Sequence, residues 1–254
     1  MLGSSVARPQ VGLCDSHQQS IKRQFQRSEW QGFQWLHRQF QPQVRKKCMV
    51  RLVRHSQELI SQTEVKIDAG SLKIYPLQDQ DERGTAILLT RAFAHTKDGR
   101  GFREIRDYVH EMLQSPPDGV MLVARLTPTD VSEMQLGKTS LVVGLAALSF
   151  NSATREQMPT LQPPDKAAYL SNIAVEPQYR RKGIASALLK VCEQVTQDAL
   201  LNRLYLHARV ADVGAQVFYK NAGYFEEGRD RSLTAIWHRI SPRVLLCKAL
   251  PVIE

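Results

Sequence analysis

Val175–Ala185, VEPQYRRKGIA, is the stretch whose reading organises the rest of the chain. Tyr169–Val175 (YLSNIAV) runs into it as a strand that Pro177 stops. Beyond it, Ile184, Leu188, Val191 and Val195 fall on one face of Lys182–Leu200, so an amphipathic helix begins at about Lys182–Gly183. The first turn of a helix presents unpaired N–H groups at the positive end of the dipole, an anion site. Gly183 has no side chain and Ala185 a small one, so a phosphate can approach the backbone closely. Arg180, Arg181 and Lys182 add positive charge at the rim. The chemistry this supports is pyrophosphate binding. A solvated basic turn before a helix accounts for the same stretch equally well when it is taken alone.

Outward from this point, the pattern predicts a β-α-α-β-β-β-α-β-α-β-β order. Leu72–Leu77 is a short strand, and Asp79–His95 a helix with acids at its start and Ala86, Leu89 and Phe93 at helical spacing. Asp98–Gly101 is a turn before a second helix near Arg103–Gln114, which Pro116 and Pro117 end. Val120–Leu126 and Ser140–Phe150 are apolar strands joined by a long polar loop, and Asn151–Lys166, with three prolines, is a surface loop. Arg203–Val210 alternates as a strand, Val213–Asn221 is a helix stopped near Gly223, and Phe225–Asp230 and Val244–Leu250 complete the set. No repeat of 20–50 residues is visible.

Composition removes several function classes. The chain has 254 residues, 43% apolar and 23% charged, as in ordinary globular proteins. Its longest apolar run, Leu141–Phe150, is about half of what a bilayer-spanning helix needs, so no membrane partner is expected. Four cysteines lie far apart with no C-x-x-C, which excludes a cysteine zinc ribbon and fits a reducing compartment; no metal is expected. The net charge of +9 sits almost wholly in residues 1–57, which hold 10 Lys/Arg against 2 Asp/Glu. The remainder is nearly neutral, and nucleic-acid binding by the folded part loses its support.

The division expected is therefore a basic, acid-poor, Gln- and Arg-rich segment over 1–67 and a folded domain over 68–254. The first lacks an apolar signal core and has the composition of an organelle transit peptide. A disordered basic arm retained on the mature protein is the plainer account. Trp30 and Trp35 then belong to that segment alone.

Arg180-x-x-Gly183-x-Ala185, between a strand and an amphipathic helix, resembles motif A (Q/R-x-x-G-x-G/A) of the GCN5-related N-acetyltransferases, GNAT. About 30 residues on, Asp212-x-x-Ala215-x-x-Phe218-Tyr219-x-x-x-Gly223-Tyr224 resembles that family's N-x-x-A-x-x-L/F-Y-x-x-x-G-F/Y block. The two blocks and the element order cover roughly residues 70–250. The resemblance implies an α/β fold with a mixed, mostly antiparallel, V-shaped sheet of about six or seven strands and about four helices. It implies acetyl-coenzyme A as acyl donor, with Arg180, Arg181, Lys182, Gly183, Ile184 and Ala185 around its pyrophosphate. Main-chain groups of Ile173–Val175, a span that includes Ala174, would bond the pantetheine amides and polarise the thioester. Asp212 stands where the family usually has an Asn that contacts pantetheine; Asp can accept there but cannot donate.

Tyr219 falls where the family commonly has the tyrosine that serves the leaving thiolate; a core aromatic is the plainer account. Tyr169 and His207 fall where the NatE-type N-terminal acetyltransferases carry a Tyr/His proton relay. A partly buried His and a strand-edge Tyr would look the same. Glu176 and Asp212 are weaker base candidates. Substrate selection in such folds comes from the turn Ala94–Phe102 and the hairpin Glu226–Arg243, the latter holding Trp237 and His238. At pH 7 a neutral amine costs roughly 4–5 kcal/mol for lysine and about 1 kcal/mol for an α-amino group. The resemblance thus points to acetylation of protein N-termini and, secondarily, lysines. With the leader it points to the plastid members of the family, a mitochondrial address being the alternative. A small-molecule amine acetyltransferase (polyamine or amino acid) and a non-catalytic acyl-coenzyme A-binding module are the rival readings. Oligomeric state is not legible.

Overall fold

The computed structural model describes residues 63–67, 69–94, 100–116, 118–129, 140–155, 160–165, 167–230 and 241–251. The residues before 63, the loop 130–139 and residues 231–240, with Trp30, Trp35, Trp237 and His238, lie outside them. Helices and strands follow the order read from the pattern, with one strand added at the front. They are β1 (Thr63–Ile67), β2 (Gly70–Pro76), α1 (Glu82–Phe93), α2 (Phe102–Leu113), β3 (Gly119–Pro128) and β4 (Leu141–Ser149). Then come β5 (Ala168–Val175), α3 (Ile184–Asp198), β6 (Arg203–Arg209), α4 (Val213–Asn221), β7 (Phe225–Arg229) and β8 (Arg243–Ala249).

The sheet has eight strands, in the order β1-β2-β3-β4-β5-β6-β8-β7. That is one more than the six or seven expected. The addition is β1, inside the span assigned to the leader. It sits at the sheet edge with half-buried and exposed residues alternating, so it carries no apolar run for the sequence to reveal.

Each face of the sheet takes two helices. Ile105, Val109 and Met112 of α2 and Ala86, Leu88 and Leu89 of α1 pack with Met121, Leu145, Ala147 and Ala174 of the sheet. On the other face, Ile184, Leu188, Leu189, Cys192 and Val195 of α3 join Leu122, Val143, Leu170, Leu204 and Leu206. At Gly144, a Cβ would lie 3.0 Å from Leu188 Cδ1 and 3.1 Å from Ile184 Cγ2, so α3 rests directly on the backbone of β4. The start of α1 is tied to the sheet through Asp81, fully buried, whose Oδ1 accepts from Arg125 Nη2 and from Tyr75 Oη at 3.3 Å.

One junction in the sheet is incomplete. β5 and β6 run parallel and pair over only three positions, Ala168↔Leu204, Tyr169↔Tyr205 and Leu170↔Leu206. β5 then continues to Val175, still paired with β4, while β6 continues to Arg209, paired with β8. Between β4 and β5 the register shifts: Leu145 faces Ala174 but Ala147 faces Ser171, leaving one extra residue in β5. Asn172, within that bulge, has φ of 52°. A bulge bends its strand and ends regular pairing, and here the bend lies where the two strands part.

Leu188→Ala is expected to destabilise the domain by about 2–5 kcal/mol, because the position is fully buried over Gly144. Urea unfolding reads this as a lower midpoint at unchanged slope; a midpoint equal to the parent's contradicts the packing described.

Candidate active site

The parting of β5 and β6 opens a cavity of about 250 Å³ that passes from one face of the sheet to the other. Side-chain alternation assigns its walls. Ala147 packs under α1 and α2, and its partner Ser171 shares that face, as does Tyr169 two residues earlier. Tyr169 pairs with Tyr205, and His207 and Arg209 follow on the same face of β6, opposite Leu245 and Arg243. Of these, Tyr169, Ser171, His207, Arg209 and Arg243 bound the cavity on the α1–α2 side. Ala208, Asp212, Ala215 and Tyr219 bound it on the α3–α4 side.

Tyr169 and His207 are in direct contact. Tyr169 Oη lies 2.9 Å from His207 Nδ1, with the rings edge to face. His207 Nε2 lies 3.1 Å from the carbonyl of Leu161. A carbonyl can only accept, so Nε2 carries the proton; Nδ1 then holds the lone pair and accepts from the Tyr169 hydroxyl. Leu161 is held by its surroundings. It packs against the cluster of Tyr169, Tyr205, Leu245 and Cys247. The loop around it is gathered by the buried Arg155, whose guanidinium donates to the carbonyls of Pro163 (3.2 Å), Pro164 (2.8 Å), Asp165 (3.4 Å) and Ala167. Burial, reinforced by the Arg243 charge, lowers the His207 pKa to about 4. The Leu161 carbonyl and Asp230 act in the opposite direction without overcoming this.

The anion site read from Val175–Ala185 takes shape at the N-terminus of α3. Gly183 is its N-cap, with φ of 81°, a backbone shape that favours glycine, and no side chain caps the helix. A Cβ on Gly183 would meet nothing within 4 Å, so the space over the first turn is open. Arg180 and Arg181 are exposed around it, and Lys182 Nζ stands 5.5 Å from the centre of the Tyr179 ring. Arg180 Nε donates to the Val175 carbonyl at 3.1 Å, folding the turn back on the end of β5. Uncapped N–H groups, open space and three basic side chains together fit a diphosphate.

Hydrogen bonding also orients the end of β5. Glu176 N–H donates to the Val143 carbonyl at 2.9 Å. Bonded and non-bonded pairs alternate along an antiparallel ladder, so Val175, opposite Gly144, turns its N–H and C=O away from β4 and toward the gap. The same alternation turns the main chain of Ala174 toward Leu145, and its side chain is buried in the α1–α2 layer. Within the span expected to bind pantetheine, Val175 therefore faces the gap and Ala174 does not.

Of the residues singled out from sequence, Tyr169, Ile173, His207, Asp212 and Tyr219 line one cavity. Ala174, Val175 and Arg180–Ala185 are not on its wall; the last six lie around the start of α3, where Ile184 contributes a buried core side chain. Tyr219 is buried, and burial raises its pKa above the ordinary value of 10. Asp212 caps α4: its Oδ1 accepts from Ala215 N–H at 3.0 Å. Glu176 is 3.6 Å from Arg91.

Asn172, Tyr108 and Arg209 have no part in the reading from sequence, and Arg243 enters it only as the end of the hairpin Glu226–Arg243; all four are on the cavity wall. Asn172 Nδ2 donates to Tyr108 Oη at 3.0 Å, joining the bulge to α2. A signal for it was present: Asn is a poor strand residue that tolerates positive φ, and it interrupts YLSNIAV. The described residues contain no group of three side chains able to hold a metal ion and no helix long and apolar enough to cross a membrane.

Comparison with known proteins agrees with this architecture. The profile of the Acetyltransferase (GNAT) family matches residues 88–224, more than half of the chain, and the chain belongs to that family. The family is one of acetyltransferases. It is similar to GCN5-related N-acetyltransferase 10, chloroplastic, of Arabidopsis thaliana, with 31% identity over 142 residues, 55% of this chain and 53% of that one. GCN5-related N-acetyltransferase 5, chloroplastic, of the same plant is 24% identical over 196 residues, 74% of this chain and 61% of that one. The matched stretch thus spans little more than half the length of these relatives. Among solved structures, the ribosomal-protein-S18-alanine N-acetyltransferase of Escherichia coli superposes with a TM-score of 0.50 at 17% identity, over 72% of this chain and 96% of that one. The GNAT domain of S. lividans PAT does so with 0.50 at 17% identity, over 74% and 96%. These two share the fold.

The histidine has a consequence for stability. An unfolded chain protonates His near pH 6.5, whereas folded His207 does so near 4. Its neutral burial contributes stability that is fully present above pH 6.5 and is lost as pH falls toward 4. His207→Gln is expected to flatten the decline of unfolding free energy between pH 7 and pH 4 by up to about 3 kcal/mol. Equal declines in parent and variant contradict a buried neutral imidazole.

Proposed function

We propose that the chain acetylates the α-amino group of protein N-termini in the plastid, with lysine ε-amino groups as slower acceptors. The observation that carries this reading is the Tyr169–His207 pair, 2.9 Å apart at the mouth of the gap between β5 and β6. The chloroplastic names of the curated relatives support the compartment, and the basic, acid-poor composition of residues 1–57 supports a transit peptide ahead of β1.

Bound acetyl-coenzyme A supplies an acetyl group already activated as a thioester. The residues of the chain do the rest. The first turn of α3, with Arg180, Arg181 and Lys182, holds the diphosphate outside the cavity. The Val175 N–H, facing the gap on the diphosphate side, is a donor for the pantetheine arm, and the main chain of Ile173, on the cavity wall and nearer Tyr169, is the donor for the acyl carbonyl; a fixed main-chain donor at a point of developing negative charge is an effective catalytic device. On the opposite side, Tyr169 takes a proton from the acceptor amine while its own hydroxyl proton passes to His207 Nδ1, the lone pair it already faces. Tyr219 stays protonated by its burial and offers a hydrogen bond to the departing sulfur.

The low basicity of His207 favours the α-amino group. A base with a pKa of about 4 cannot strip a free ammonium efficiently. It can take the proton once attack has begun and the nitrogen has become acidic. The acceptor must then arrive neutral, which costs about 1 kcal/mol for an N-terminus and roughly 4–5 kcal/mol for lysine at pH 7. Asp212 is no sign of lost turnover: Asp caps a helix as well as Asn does, and Asp212 caps α4.

Thiol release with acetyl-coenzyme A should be seen with peptides bearing a free α-amino group. It should be slower with Nα-blocked peptides carrying one lysine and absent with free polyamines. Tyr169→Phe is expected to lower kcat by about 100-fold or more while KM for acetyl-coenzyme A holds. Arg180→Ala combined with Gly183→Glu is expected to raise that KM by at least about tenfold. Turnover of polyamines alone overturns the protein-substrate reading.

A further inference from the structure

The acceptor side of the cavity is cationic. Arg100, Arg209 and Arg243 line it, and among the described lining residues the one carboxylate is Asp212, on the other side, where its Oδ1 caps α4. Arg209 and Arg243 are direct cross-strand partners in β6 and β8. Their pairing gathers two positive charges at one place on the wall. The diphosphate cradle at α3 is not on this wall, and these arginines take no part in it. Arg100 stands 3.3 Å from Glu104, an exposed pair on α2. Asp230 binds Arg243 through the main chain, its Oδ2 accepting from the Arg243 N–H at 3.0 Å.

Resting on the reading that protein N-termini are the acceptors, we propose that Arg209 and Arg243 form a carboxylate-recognition site that selects acidic N-termini. Its ligand is an Asp or Glu side chain at the second or third position of the acceptor. Spacing supports this position. His207 and Arg209 are two residues apart on one face of β6, or about 7 Å at a strand's rise. An α-amino group at Tyr169–His207 and a carboxylate at the arginine pair are therefore separated by one or two residues of extended chain. A guanidinium pair takes a carboxylate in planar, charge-assisted geometry. The carboxylate also opposes the Arg243 charge that acts on His207, as Asp230 does from within the fold. The same wall repels polycationic amines.

The test uses the full chain, acetyl-coenzyme A and three peptides identical except at positions two and three, which are Glu-Glu, Ala-Ala or Lys-Lys. Expected is a kcat/KM at least about tenfold higher for Glu-Glu than for Ala-Ala, carried mainly by KM, with Lys-Lys lowest. Arg243→Gln should bring the Glu-Glu to Ala-Ala ratio close to one, and Arg243→Glu should invert the order of Glu-Glu and Lys-Lys. If either variant fails to fold, the parent decides: raising salt from about 0.05 to 0.5 M should erode the Glu-Glu advantage and leave Ala-Ala nearly unchanged. Equal turnover of all three peptides, or a preference for Lys-Lys, overturns the carboxylate site and leaves the N-terminal acetylation reading standing. Thiol release with free glutamate but with none of the peptides overturns the protein-substrate reading and keeps the arginine pair as the carboxylate site.

Discussion

The short parallel pairing of β5 with β6 is the constraint on which the site depends. Three residue pairs hold the strands together, and then they part. β4 keeps its hold on β5 through a one-residue bulge, and β8 keeps its hold on β6. The sheet is therefore continuous in its hydrogen bonding while open in its middle. A sheet normally separates the two layers of helices on its faces. Here a cavity connects them. The parting also leaves the backbone edge of β5 at Val175 turned toward the gap.

A polar chain runs along the α1–α2 side of that opening. The Leu161 carbonyl fixes the proton of His207 on Nε2, and the free Nδ1 orients the Tyr169 hydroxyl. The far end of the chain rests on Arg155, a buried cation satisfied by main-chain carbonyls of the proline-bearing loop. Buried polar groups are costly when unpaired and rigid when paired. The result is an imidazole held neutral, in one tautomer, with its lone pair already engaged by the Tyr169 hydroxyl. Positive charge gathers at two separate places: the basic turn before α3, outside the cavity, and Arg209 with Arg243 on its wall.

Local pattern made much of this legible. The strand, basic turn and amphipathic helix from Tyr169 to Leu200 are written in nearest-neighbour terms: alternation, Pro177, Gly183, then apolar spacing. Tyr169 and His207 stood out only through the resemblance, since nothing local links residues 38 positions apart. What stayed hidden depends on pairing at a distance. β1 has an edge strand's mixed pattern and lies inside the span read as the leader. The orientation of Ala174 follows from its partner across the ladder, and a bulge one residue away resets that partner. Asp212 reads as a ligand contact by its place in a motif, yet its side chain closes the first turn of α4. Arg209 and Arg243 become one feature only when β6 is laid against β8.

The central claim is that the acyl donor enters where β5 and β6 part, with its diphosphate on α3. Amide chemical shifts followed during titration of the full chain with acetyl-coenzyme A test it most directly. The account predicts that the largest changes fall on Val175, on Gly183–Ala185 and on the Asp212–Tyr219 segment, with β1, β2 and the outer face of α2 unmoved. Saturable changes confined to other parts of the sheet, with Val175 and Gly183 unaffected, would contradict it.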